Sequence, residues 1–358
     1  MIEVLGLKVE KREQVSGLWQ VLMALLAIIV ALLISALLIA SAGANIREAF
    51  SGLYGGAFGS WKAIIETLVK ATPLILTGLA VTVAFRGALW NIGAEGQFWA
   101  GAMAGWWASY NITTLPPALH FLVILLCAFL AGAFCGLIPG LLKAFLKVDE
   151  TIVTVMMNYI VHFYLSYLLS GPWQDPNEFY YITAPVPEDA YYPIVFPNTR
   201  LHAGIVVALV SAFIVFWLLR KTRLGYEIRA MGLNPTASKF KGVNVAQVIV
   251  VAMLISGGIA GLAGAGEVVG LHHRLRMDIS SGYGFTGIIV AMLGGLNPFA
   301  VIIAAIFFGA LVNGSNRMQI FTGVPVALVY AMQAIVLLCL LSMQVLAKYR
   351  IRRLKDVE

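Results

Sequence analysis

The residues with chemical potential gather in two glycine-rich strings. The first, Arg86 to Gln97, reads R-G-A-L-W-N-I-G-A-E-G-Q and sets Asn91, Glu95 and Gln97 among glycines. The second, Ser281 to Gly287, reads S-G-Y-G-F-T-G and is closely followed by Gly294-Gly295-Leu296-Asn297-Pro298. Glu95 could accept hydrogen bonds from a polar ligand, or it could cap or brace a neighbouring helix. Asn91 and Gln97 could read hydroxyl or amide groups, or bond the backbone of a turn. Asn158 and Asn313 sit inside apolar runs, where an amide marks either a lumen or a bond between helices. Glu66 and Lys70, at i and i+4, read as a local ion pair. His272 and His273, beside Arg274 and Arg276, lack further metal-ligand partners and read as surface histidines.

Other chemistry is missing. There is no G-x-x-x-x-G-K-[ST] phosphate loop, no H-E-x-x-H and no G-x-S-x-G. The three cysteines, Cys127, Cys135 and Cys339, lie in apolar runs and form no spaced pair for a metal or a disulfide framework. No catalytic constellation, cofactor site or metal site is indicated in this chain. The expectation is a non-enzyme that moves something and draws its energy elsewhere.

The elements that position these residues follow from composition. Of 358 residues, 60% are hydrophobic and only 11% charged, and the mean hydropathy is +0.89. A soluble domain carries about 25% charged residues, so this chain lacks the charge to cover a water-exposed surface. A single soluble domain, a disordered chain and a nucleic-acid module are excluded. The net charge of +7 becomes a signal of topology.

A membrane-crossing helix needs about 20 apolar residues. The first such stretch, Val21 to Ala44, has no charged residue and follows Lys8, Lys11 and Arg12. It is too long for a signal-peptide core and reads as a retained anchor. Others follow at 63–84, 93–110, 118–142, 152–170, 202–219, 245–266, 280–293, 298–314 and 325–346, which makes ten. The second carries Glu66, Lys70 and Pro73, and the eighth is short and rich in glycine. Placing the N-terminus inside puts 17 of the 24 lysines and arginines on the cytoplasmic side, as the positive-inside rule requires. The expected fold is an all-α polytopic membrane protein with about ten spans and both termini inside. Residues 1–18 form a cytoplasmic N-terminus, 19–346 the transmembrane domain and 347–358 a basic cytoplasmic C-terminus.

Two connections exceed turns. The external segment 171–201 holds six prolines, seven aromatics and the acids Asp175, Glu178, Glu188 and Asp189. It reads as an ordered cap, a docking surface for a soluble partner, or a solvated loop with interfacial aromatics. The cytoplasmic segment 220–244 predicts a short amphipathic helix, Tyr226 to Met231, ended by Gly232 and the Asn234-Pro235 turn. The two glycine-rich breaks fall in spans three and eight. Five spans apart is an odd number, so two such units have opposite orientations, which predicts an inverted repeat with a pathway at its interface. Small-residue helix packing accounts for the same glycines in another way.

Three blocks carry a family resemblance. Asn91 to Gln97 resembles the N-I-G-A-E-G-Q signature of permease subunits of bacterial ATP-binding-cassette importers serving branched-chain amino acids, simple sugars and nucleosides. Gly225-Tyr226-Glu227-Ile228-Arg229-Ala230-Met231-Gly232-Leu233-Asn234-Pro235 is similar to that family's cytoplasmic coupling loop. Gly284 to Gly294, with Asn297 and Pro298, resembles its G-F-x-G-I-x-V-A-x-L-G-x-x-x-P block. The match runs in order over residues 60–345, and the whole looks most like the larger permease of nucleoside importers. Ser238 and Lys239 depart from the small residues that relatives commonly show.

The resemblance implies a pathway built with a second, homologous permease. It implies a cytoplasmic ATPase, often two fused nucleotide-binding modules, which binds and hydrolyses the ATP. An extracytoplasmic binding protein or lipoprotein would deliver the substrate, and the assembly would sit in the bacterial plasma membrane. Glu227, Arg229, Gly232, Asn234 and Pro235 would engage the ATPase. Substrate contacts would come from Asn91, Glu95, Gln97, Asn158 and Asn313, with Phe285 as a base-stacking wall. The expected cargo is a nucleoside or similar polar solute. A simple sugar, a flavin or a branched-chain amino acid is the alternative within that mechanism. A secondary transporter driven by an ion gradient, with Glu95 titrating, is the alternative outside it.

Overall fold

A computed structural model describes residues 2–4, 7–11 and 17–353. The helices, in chain order, are α1 (Gly17–Ser41), α2 (Ile46–Ala57), α3 (Trp61–Arg86), α4 (Ala94–Asn111), α5 (Pro117–Leu146), α6 (Glu150–Leu169) and α7 (Gly204–Lys221). Then come α8 (Arg223–Leu233), α9 (Pro235–Phe240), α10 (Val245–Ala265), α11 (Tyr283–Leu293), α12 (Pro298–Thr322) and α13 (Val326–Lys348). A π-helical turn, Gly266–His272, extends α10. Three short strands, Ile2–Val4, Leu7–Lys11 and Tyr349–Arg353, pair antiparallel near the two ends of the chain.

Each apolar stretch of the sequence falls largely within one of these helices. Among the described residues, six helices are long and apolar enough to cross a membrane: α3, α5, α6, α7, α10 with its π turn, and α12. At about 1.5 Å per residue, the 11-residue α11 reaches only about half of the roughly 30 Å hydrocarbon core.

The chain divides into two compact units, residues 1–59 with 311–358, and residues 60–310. In the first, α1 packs on α13, and Ile39, Ala49, Met318 and Met332 form a buried cluster. The amphipathic α2, which the apolar pattern does not reveal, lies here. Asn45 caps it, accepting from the Arg47 N–H at 3.0 Å, and its glycines let it approach α12. A Cβ at Gly56 would sit 2.9 Å from Gly314 Cα.

In the second unit α10 lies against α3, α4 and α5, and glycines decide how close they come. A Cβ at Gly132 or Gly257 would run into the other's helix backbone, one at Gly261 into Ala128 O, and one at Gly264 into Phe98 O. Small residues replace side-chain interdigitation with backbone contact, which is how helices pack where lipid supplies no hydrophobic drive. The opposite face of α5 carries Leu122, Leu126, Leu130 and Phe134, all exposed. Their spacing of about four residues makes one apolar stripe suited to lipid.

The segment 171–203 is ordered against this unit. Trp106 Nε1 donates to Ala184 O at 3.0 Å, Thr183 N donates to Leu275 O at 3.1 Å, and Val186 N donates to His273 O at 2.8 Å. Arg274 bridges to Glu178 at 2.7 Å. Two sequence expectations change here. Glu66 pairs with Arg200 of this segment through two hydrogen bonds rather than with Lys70. A bidentate guanidinium fits a carboxylate better than an ammonium one turn away. His273 is half-buried rather than a surface residue, stacked on Tyr191 with ring centroids 3.7 Å apart. Burial lowers its pKa from the usual 6.5.

Folding therefore favours the neutral His273 ring. Its contribution is present above about pH 6.5 and is lost as the pH falls below that value. Melting curves at pH 7.5 and 5.5 should show lower stability at pH 5.5, with a smaller difference in His273→Phe, which keeps the stack but cannot titrate. An unchanged pH difference would refute this role.

Candidate functional site

The two glycine-rich breaks meet in the structure, joined by Glu95 and Gly284, 189 residues apart in sequence. Between α3 and α4 the backbone leaves helical geometry over residues 87–93. Buried backbone outside a helix must have its polar groups satisfied by protein. Trp90 N donates to Glu150 at 3.3 Å, and Ile92 N donates to Thr154 Oγ1 at 3.3 Å. Asn158 Nδ2 donates to Ile92 O at 3.0 Å, while its Oδ1 accepts from Gly96 N at 2.7 Å. Glu150 is itself held by Lys143 at 2.6 Å.

Asn91 and Gln97 close the turn from inside. Asn91 Nδ2 donates to Gln97 Oε1 at 2.9 Å, and Gln97 Nε2 donates back to Asn91 Oδ1 at 3.1 Å. Asn91 also donates to Ser256 Oγ at 2.8 Å and accepts from Gly93 N at 3.0 Å. The Ser256 hydroxyl in turn donates to Ala80 O at 2.6 Å. One amide pair thus ties the turn to α3 and α10. Asn91 is 0% exposed and Gln97 is 1% exposed, so their amides face one another rather than an open passage.

Glu95 joins the first break to the second. One carboxylate oxygen accepts from Ser280 Oγ at 2.5 Å and the other from Gly284 N at 2.7 Å. Gly284 is the second residue of α11, and a Cβ there would overlap the Glu95 backbone. Glu95 is likewise the second residue of α4. The carboxylate therefore stands at the N-termini of two helices at once, where each macrodipole favours negative charge. Of the two roles open in the sequence, this geometry is the brace.

Phe285, the next residue along α11, is 46% exposed. It stands opposite the face formed by Gly284, Gly287, Val290 and Ala291, which is buried. Within the first unit, Asn313 Nδ2 donates to Gly56 O at 2.8 Å, linking α12 to α2.

The coupling-loop residues form two helices, not one. Thr222 caps α8 by accepting from Gly225 N at 3.1 Å, so the helix starts before Tyr226 and continues through Gly232 to Leu233. Asn234 then ends α8 and caps α9, accepting from Ala237 N at 3.0 Å, with Pro235 at the first helical position. Gly232 lies against the end of α3, where a Cβ would overlap Arg86 O. Glu227 pairs with Arg223 at 2.8 Å, and Arg229 Nε donates to Gly225 O at 3.3 Å. Leu233 and Phe240, the last residues of α8 and α9, are each 89% exposed.

Sequence reasoning missed Ser256, Ser280, Glu150 and Glu267. The serines carry no motif, and their importance appears only once α3, α10 and the α11 entry are adjacent. Glu267 lies in the π turn, 1% exposed, with Oε2 3.6 Å from His272 Nε2.

No solved structure matches this chain. It is 39% identical over 337 residues to the guanosine ABC transporter permease NupP of Bacillus subtilis, covering 92% of this chain and 95% of that protein. A glucose ABC transporter permease of Haloferax volcanii, TsgB13, is 33% identical over 91% of this chain and 88% of its own length. The nucleoside ABC transporter permease NupB of Lactococcus lactis is 31% identical over 89% and 90%. Residues 63–341 match the family described as the branched-chain amino acid transport system / permease component. That stretch holds the braced turn, the paired helices α8 and α9 and the short α11, and the chain belongs to this family of membrane permeases.

Proposed function

We propose that this chain forms the translocation pathway of an ATP-driven importer for nucleosides in the bacterial plasma membrane. The observation that carries the reading is the meeting of the two broken helix starts at Glu95. Discontinuous helices that meet inside a bundle mark the pathway in transporters built from repeats. The nucleoside and guanosine permeases named above supply the substrate class, and the glucose permease supplies the nearest alternative.

In this reading ten helices cross the membrane with both termini inside, and the two breaks belong to an inverted repeat. Asn91, Glu95, Gln97 and Asn158 hold the pathway wall, and Phe285 presents a flat aromatic face to a base. A second permease completes the pathway, and an extracytoplasmic binding protein docks on the ordered 171–203 segment. ATP is bound and hydrolysed by a separate ATPase, which receives α8 and α9. The exposed Leu233 and Phe240 suit such docking, since a partner that covered them would remove apolar surface from water. Glu227, Arg229, Gly232, Asn234 and Pro235 fix the shape of that stub.

Because Gly232 touches the Arg86 carbonyl, α8 movement passes directly to α3. Gly232→Ala forces the two apart and is expected to lower uptake about tenfold or more, the effect of losing about 1.4 kcal/mol of coupling, while ATP hydrolysis by the complex continues. Full transport in this variant would remove the coupling assignment. For the cargo, a panel of radiolabelled guanosine, adenosine, ribose, glucose and leucine distinguishes the classes. Saturable uptake of the purine nucleosides alone is expected; uptake of a sugar or leucine instead would move the substrate and leave the mechanism.

A further inference from the structure

Where α3, α7, α8 and the α11–α12 turn converge, three arginines line one cleft of about 260 Å³: Arg86, Arg220 and Arg229. Arg86 is anchored through Nε to Leu296 O at 2.9 Å, Arg229 through Nε to Gly225 O at 3.3 Å. The Arg220 guanidinium lies 5.2 Å from the centroid of the Phe216 ring. Each contact orients a guanidinium without neutralising it. Among the described residues no carboxylate forms an ion pair with any of the three, and nearby Glu227 is engaged by Arg223. Three like charges held around one cleft repel one another unless an anion completes the site.

The apolar surroundings identify the anion. The face of α7 that leads to Arg220 carries Val206, Val210, Phe213 and Trp217, all at least half exposed. These residues recur at three- and four-residue spacings and form one lane along the helix. The Phe216 and Phe299 rings, 4.8 Å apart, link the lane to the start of α12. A soluble phosphate or a partner's carboxylate has no use for such a lane. An acyl chain does, with its headgroup at the guanidiniums.

We propose that this cleft is a binding site for an anionic phospholipid, its phosphate held by Arg86, Arg220 and Arg229 and one acyl chain lying along α7. Arginine forks suit phosphate oxygens in bidentate geometry, and basic pockets between helices near the membrane surface recognise such headgroups. Because Arg229 belongs to α8, the bound lipid braces the coupling stub against α3. The inference rests on the orientation proposed above only for the leaflet that supplies the lipid.

The test uses the transporter purified from its own membranes through a tag on this chain and placed in nanodiscs containing phosphatidylglycerol. Native mass spectrometry counts the retained lipid in the wild type and in Arg220→Gln, Arg220→Lys and Lys221→Gln. Arg220→Gln is expected to lower occupancy about fivefold, the effect of roughly one interfacial cation. Lys221→Gln, which removes the same charge one residue away, should match the wild type, and Arg220→Lys should keep most of the lipid. Inorganic phosphate should not displace it. Equal occupancy in all variants, a loss in Arg220→Lys as large as in Arg220→Gln, or displacement by inorganic phosphate would each overturn the proposal. So would loss of the ATPase from Arg220→Gln with its lipid intact. Lipid counting needs no transport, so a failure here is separate from a failure of the import reading.

Discussion

Replacing Glu95 by alanine is expected to lower uptake by ten- to a hundredfold or more. The side chain leaves two donors behind, the Ser280 hydroxyl and the Gly284 N–H. An unsatisfied buried donor costs about 1–3 kcal/mol, and about 1.4 kcal/mol is tenfold in a rate. The two helix N-termini that share the carboxylate also lose their common counter-charge. Glu95→Gln keeps one acceptor but turns an NH2 toward a donor, so it should fall between the wild type and alanine. Asn91→Ala opens the amide pair with Gln97 and should reduce uptake in the same assay. Uptake rate and KM, measured in normally expressed complexes, check all three. Unchanged values for Glu95→Ala and Asn91→Ala would show that the meeting of the two breaks has no part in transport.

The second large effect concerns the packing of α10. Gly261→Val places a branched side chain against Ala128 O and the Gly132 backbone. A methyl group pressed on a helix backbone cannot be relieved by a rotamer change. Overpacking in a well-filled interior costs about 1–3 kcal/mol; with no flexible neighbour to yield, the cost here should lie at or above the upper end. Little folded protein should survive size-exclusion chromatography. Gly55→Ala is the control: its Cβ meets nothing nearer than 3.7 Å, the end of the flexible Arg317 side chain. That substitution should be neutral or slightly stabilising, because alanine is the better helix former by about 1 kcal/mol. If Gly261→Val folded as well as Gly55→Ala, the close approach of α5 and α10 would be refuted.

Much of this architecture is legible in the residues. Apolar runs about 20 residues long can hardly be anything but buried or lipid-facing helices, so the helical segments emerge directly. The two glycine-rich strings stand out because glycine and carboxylate at depth carry a cost that only tertiary contacts remove. Their partners do not stand out. Ser256 and Ser280 look like any serine, and the Glu66–Arg200 pair joins residues 134 positions apart, beyond the reach of a helical i, i+4 rule. The amphipathic α2 is hidden by its glycines, which lower its apparent helix propensity while permitting its contact with α12. The coupling segment shows a different limit. Gly232 reads as a helix end in sequence, yet it remains helical because its missing side chain is needed for contact with α3.

The roles of Asn91 and Glu95 show how far side-chain type alone reaches. An amide or a carboxylate beside a glycine break is equally suited to a ligand or to a brace. Only the donors around it, Gly284 N for Glu95 and the reciprocal Gln97 amide for Asn91, decide between them. Phe285, by contrast, is 46% exposed, so no buried donor or acceptor fixes its role.

This chain is expected to move its cargo only when a partner hydrolyses ATP. The direct measurement is accumulation of labelled guanosine in proteoliposomes that hold this chain with its second permease and ATPase, the binding protein outside, with and without ATP inside. Concentrative uptake that requires internal ATP, and its absence when this chain is reconstituted alone, is the expected result. Accumulation by this chain alone under a proton or sodium gradient would contradict the account and make Glu95 a titrating group of a secondary transporter.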